Sequence, residues 1–117
     1  MKIIEMFKIL NADAEVKRLL ANRIHEDLAP EGTPTPYMVW TEVSGTPENH
    51  LDGGANVDHL EIQVLIYDSS QPVASKIRTE VCRVLENHGV VDGRLGHFET
   101  ATKLFARGFT VNFWLNR

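Results

Sequence analysis

Val57-Asp58-His59-Leu60-Glu61-Ile62-Gln63-Val64-Leu65-Ile66-Tyr67 is the stretch that decides the fold, with Asp68-Ser69-Ser70-Gln71-Pro72 directly behind it. Leu60, Ile62, Val64 and Ile66 alternate with His59, Glu61, Gln63 and Leu65. A period of two over this length describes a strand with one buried face and one wetter face. Asp68, Ser69 and Ser70 end the strand and offer helix caps, and Pro72 suits a first helical turn. Val73, Ile77, Val81, Val84, Leu85 and His88 then fall within about 120° of a helix surface at ~100° per residue. Gly89 follows as a natural stop. A strand that passes at once into an amphipathic helix predicts a helix packed on one face of a sheet.

Working outward from this unit, Ile3, Ile4, Phe7 and Leu10 recur at helical spacing near the start of the chain. Asp13 is placed to cap a second short helix carrying Val16, Leu19 and Leu20, with Glu15 in its first turn. Arg23-Ile24-His25 reads as a short extended piece. Residues 29–36 hold three prolines and a glycine, which forbid helix and central strand alike. Tyr37–Ser44 is rich in β-formers, with Tyr37, Val39, Thr41 and Val43 on one face and Met38, Trp40 and Glu42 on the other. Gly45–Asn56 reads as a polar, glycine-bearing loop, and loops of this length are commonly functional. After the long helix, Phe98–Leu104 and Phe109–Leu115 alternate, joined by an expected tight turn at Ala106-Arg107-Gly108.

The order is thus α-α-β-β-β-α-β-β. The expectation is an α+β fold: a mostly antiparallel sheet of about four to five strands. One long amphipathic helix and short N-terminal helices pack on one face. The N-terminal helices are too small to bury a core alone, so residues 1–117 are read as one domain.

Composition narrows the function. Hydrophobic residues make up 43% and charged residues 24%, the balance of a globular chain. Net charge is −4 with no run of Lys or Arg, which argues against sequence-independent nucleic-acid binding. One cysteine, Cys82, makes neither an internal disulfide nor a zinc cluster and fits a reducing compartment. The N-terminal apolar run is interrupted by Glu5 and Lys8 and no cleavage site follows, so it reads as a helix and not a leader. No stretch approaches the ~20 apolar residues of a membrane span. A soluble protein made in a cytoplasm is expected.

No catalytic signature emerges. His25, His50, His59, His88 and His97 are scattered, with none at metal-ligand spacing along a helix. His97 and Glu99 share a strand face, but catalytic zinc takes three protein ligands. His88, in the last turn of the long helix, is better suited to bonding the final carbonyls than to catalysis. Cys82 lies opposite the apolar arc without a recognisable base. Asp52-Gly53-Gly54-Ala55-Asn56 lacks the phosphate-loop spacing and precedes a strand, not a helix. No catalytic, cofactor-binding or metal residue is assigned. Trp40 and Trp114, on the less apolar faces of their strands, are candidates for core packing or for anchors at an interface.

These patterns, in their order, resemble the tail-completion proteins of long-tailed bacteriophages and prophages, also called tail-terminator or head–tail joining proteins. The likeness is carried by Arg23-Ile24-His25, the Pro-rich turn into Pro36-Tyr37-Met38-Val39-Trp40, and the strand ending Val43-Ser44-Gly45. It continues through Glu61-Ile62-Gln63-Val64-Leu65-Ile66-Tyr67, the helix with Ala74, Ile77, Val81 and Leu85, and the closing aromatic strands. The resemblance implies a non-enzymatic structural role at the head–tail junction of a virion. The implied assembly is a ring, often a hexamer, on the head-proximal end of the tail tube, in contact with the tube protein and the head connector. DNA would pass through without specific recognition, and no membrane would be involved. Ring contacts are expected from the loop after Gly45 and the sheet edges, with Trp40, Glu48, Asn49, His50, Leu51, Asp52 and Trp114 as candidate interface residues. Two other readings of the residues stay open. One is a small enzyme or metal-binding domain using His97, Glu99 and His59, and the other is a peptide- or protein-binding module of a bacterial regulatory system with an exposed sheet edge.

Overall fold

A computed structural model of the chain describes residues 4–50 and 53–116; of residues 47–50 and 53–56 only the backbone is considered. The elements run α1 (Met6–Asn11), α2 (Ala14–Leu20), β1 (Ile24–Glu26), β2 (Tyr37–His50), β3 (Gly53–Asp68), α3 (Gln71–Leu85), β4 (Val90–Glu99) and β5 (Leu104–Asn116). The five strands form one sheet in the order β1-β2-β3-β5-β4. Only β1 and β2 pair in parallel; the other three pairings are antiparallel. This is the expected α+β architecture with its single long helix.

The alternation in β3 works as read. Leu60, Ile62, Val64 and Ile66 are fully or almost fully buried, and Ile77, Val81 and Leu85 of α3 close over them. From β5, Phe113, Val111 and Phe109 stand directly opposite Leu60, Ile62 and Val64 and complete the same layer. Ser70 caps α3 by accepting from the Val73 N–H at 3.4 Å, and Asp68 accepts from the Ser70 N–H at 2.8 Å. Ile77, Val81, Val84 and Leu85 are buried as expected, but at the start of α3 Ala74 is buried and Val73 is exposed. Likewise Met6, not Phe7, faces inward from α1. A side chain that falls on the margin of an apolar arc is settled by where the sheet lies, not by its hydropathy.

Asp13 caps α2 through the Val16 N–H at 3.1 Å and also accepts from Arg83 of α3 at 2.9 Å. The Arg83 bond first, and the Val16 N–H second, hold its carboxyl below the ordinary carboxylate value. A depressed folded-state pKa adds stability that is present above the unfolded value and lost as pH falls through the folded one. Asp13→Asn is therefore expected to flatten the acid limb of a melting-temperature profile below pH 4.5, measured by circular dichroism. An acid limb identical to that of the wild type would refute this.

Two expectations give way to the structure. The described parts of Gly45–Asn56 are strand and not loop: β2 and β3 continue outward as a paired ribbon, with Glu48 opposite Val57 and His50 opposite Gly53. Thr46-Pro47-Glu48-Asn49-His50 and Gly53-Gly54-Ala55-Asn56 hold no alternation of apolar residues, so the stretch carries none of the period-two signal by which strands are read. Ala106-Arg107-Gly108 is not a turn but lies within β5, paired with β3 on one side and β4 on the other. The reversal lies at residues 100–103, where Lys103 adopts φ 57° and its N–H reaches the Glu99 carbonyl at 2.8 Å. In β2 the buried face is the one carrying Met38 and Trp40, while Tyr37 and Val39 line the opposite side of the sheet.

Candidate assembly surfaces

The helices cover one face of the sheet and leave three surfaces for contact: the outward ribbon, the opposite sheet face, and the two edges. The ribbon comes from a length mismatch. β5 ends against β3 at the pair Val57–Asn116, whereas β2 and β3 pair on to His50 and Gly53. Beyond Val57 the two strands pair only with each other among the described residues, and the molecule reaches 52 Å along its longest axis against 30 and 24 Å. A two-stranded ribbon is marginal alone in water. Glu48, Asn49 and His50 lie in this ribbon. Leu51 and Asp52 lie outside the described residues.

The two tryptophans part company. Trp40 is 7% exposed and belongs to the core, so it is withdrawn from the candidate surface anchors. Trp114 is 48% exposed on the open sheet face, stacked on His59 with centroids 4.8 Å apart and planes 6° from parallel. His59 is held in turn by Asn112, Nε2 to Oδ1 at 2.8 Å. Near the other end of that face Tyr37 and Tyr67 stack at 5.1 Å, beside a shallow hollow bordered by Asp27 and Glu99. Burial, and then the Glu99 carboxylate, push both phenols above their ordinary value.

On the helix side a groove of about 350 Å³ runs between α3 and β4, with Arg78, Cys82, Val91, Arg94 and Phe109 among its walls. Arg78 spans it to the Leu95 carbonyl at 3.4 Å. Arg107 lies over the Phe105 ring at 5.4 Å and donates to the Ala106 carbonyl at 2.9 Å. Burial first, then the neighbouring charges of Arg94 and Arg107, lower the Arg78 pKa. Among the described residues none of these three arginines has a carboxylate partner within ion-pair distance. This basic cluster escaped the sequence reading because its members come from three elements and form no run.

Cys82 sits half-buried in the same groove and donates to Glu86 Oε1 at 3.2 Å. Burial, then the Glu86 carboxylate, push its thiol up to about 11. At pH 8 this leaves ~100-fold less thiolate than an ordinary thiol, offset in part by a more basic and more nucleophilic sulfur. Alkylation by iodoacetamide is expected to be about tenfold slower than for a free thiol and to keep rising beyond pH 10. A rate that levels off near pH 9 would show an ordinary cysteine.

The remaining histidine candidates do not assemble into a site. His97 and Glu99 approach to 3.7 Å, but among the described residues no three His, Cys, Asp or Glu side chains are grouped to hold a metal. His88 lies past the end of α3, exposed. The Leu85 carbonyl is taken by the backbone N–H groups of His88 and Gly89, not by the imidazole.

Comparison with known proteins places this geometry. The family model described as tail completion protein gp17 matches residues 4–109. A chain of the solved structure titled "Virion of native gene transfer agent (GTA) particle" has a similar fold, with a TM-score of 0.72 and 13% identity. The match covers 96% of this chain and 92% of that one. No curated protein matches.

Proposed function

The chain belongs to the tail completion protein gp17 family, and from that premise we propose that it is a structural protein that caps the head-proximal end of a phage-type tail tube. It acts as a closed ring, a hexamer, that stops tube growth and presents a surface to the head connector. It does so without catalysis, and its place is the head–tail junction of the particle. The observation that carries this reading is the ribbon of β2 and β3, which extends past the supported sheet as an arm whose two outer edges pair with no other strand among the described residues. Ring subunits need contacts that are heterologous and close by rotation. An arm displaced from the body of its own subunit is suited to reaching a neighbour. The net charge of −4 supports a channel that DNA crosses without sticking.

The test is to image tail tubes by negative stain after adding the purified chain, with light scattering of the free protein in parallel. Capped tubes of arrested length, each ending in a ring, are expected. Tubes that neither stop growing nor carry added density at one end would overturn the reading.

A further inference from the structure

We propose that subunits join by edge pairing, the free outer edge of β4 in one copy running antiparallel to the free outer edge of β2 in the next. The sheet then continues from subunit to subunit around the ring. This rests on the ring reading above and says which surfaces close it.

Four observations converge on it. First, the edges match in extent. β1 covers β2 only from Met38 to Trp40, which among the described residues leaves the outer edge of Thr41–His50 without a neighbouring strand. β4 spans ten residues and, among the described residues, likewise has no strand outside it. Second, the directions match. Three successive antiparallel steps lead from β2 through β3 and β5 to β4, so β2 and β4 run in opposite senses. Rotation about an axis roughly along the strands therefore brings β4 of one copy antiparallel to β2 of the next, with all helices on the same side.

Third, the charges match. On the β2 side stand the exposed carboxylates of Glu26, Asp27 and Glu42; on the β4 side stand Arg78, Arg94 and Arg107. Glu42 is opposite Ile62 and Arg94 is opposite Phe109, so both belong to the helix-covered face. In a continuous sheet they meet on one face. Neither has an ion-pair partner within its own described chain. Fourth, each edge exposes apolar surface that pairing would cover: Val43 on β2, and Val90 and Phe98 on β4. Register shifts at Glu42/Ser44 and Val91/Gly93, together with Pro47, shorten the stretch able to pair. Such devices keep an edge from indiscriminate strand addition, so closure requires the charge match as well as the backbone.

The experiment is a charge swap. Wild type, Arg94→Glu, Glu42→Arg and the double variant are compared by light scattering and chemical cross-linking, both free at high concentration and on tail tubes. Circular dichroism melts check folding; both sites are exposed, and Arg94→Gln and Glu42→Gln replace any variant that fails to fold. Each single variant is expected to lose ring formation by at least tenfold in concentration, the double variant to recover it, and raised salt to weaken the wild-type ring. Rings that survive both single changes would overturn edge pairing while leaving the ring itself standing. Single variants that fail without rescue in the double would equally overturn it, since the two positions then do not meet. A wild-type chain that stays monomeric both free and on tubes would overturn the ring reading and this proposal together.

Discussion

Replacing residues 49–56 with Asn-Gly is expected to give a folded protein that no longer caps tail tubes. Glu48 and Val57 are cross-strand partners, so a two-residue turn closes the hairpin directly between them. The buried layer of Leu60, Ile62, Val64, Phe109, Val111 and Phe113 lies wholly inside the supported sheet. Stability should therefore change by no more than about 0.5 kcal/mol, as for other surface changes remote from a core. Shortening the exposed connection contributes little, because loop-closure cost varies only slowly with length. Capping, in contrast, should fall below detection in the tube-length assay. The contrast between an intact melt and a lost activity is the diagnostic result. A truncated chain that caps as well as the wild type would show that the arm is not the reaching element. A truncated chain that unfolds would show that the arm supports the body.

What could be read in the sequence, and what could not, divides along a physical line. Where burial imposes a period along a whole element the sequence shows it, in β3 and along the body of α3: Leu60 to Ile66 against Ile77, Val81 and Leu85 is the centre of the protein. Capping chemistry was equally legible, since Asp13 and Ser70 sit where their side chains meet free N–H groups. The arm left no such trace, because Pro47, Glu48, Asn49, Gly53 and Gly54 break any alternation of apolar residues there. The basic cluster was invisible for another reason. Arg78, Arg94 and Arg107 are brought together by α3, β4 and β5, and only the topology places those three elements side by side. Trp40 and Trp114 show the same limit at single positions. Both lie in strands beside polar residues, yet the helix layer covers one and leaves the other open.

A glycine beside a charged residue reads as the mark of a turn, but the reversal between β4 and β5 lies at residues 100–103, and Gly108 has a different reason to be glycine. It pairs with Leu65 on β3 and with Leu95 on β4, inside the sheet. A Cβ at this position would fall on the Val64 carbonyl, with the Leu65 Cα 3.0 Å away. Both are backbone in the central strand and cannot swing aside as a flexible side chain can. Even Gly108→Ala must therefore displace β3 from β5, beneath the largest buried side chains. Overpacking of this kind costs about 3 kcal/mol or more, far beyond the ~1 kcal/mol that Ala gains over Gly in chain entropy. For a chain of this size that corresponds to a melting temperature lower by roughly 10 °C. Lys103, at the actual reversal, is the control. Its left-handed φ of 57° is the conformation that L-residues resist and glycine accepts. Lys103→Gly should leave the melting temperature unchanged or slightly raised. Thermal melts of the two variants side by side decide the matter: a tolerated Gly108→Ala with a damaging Lys103→Gly would return the turn to residues 106–108 and break the register on which the edge of β4 depends.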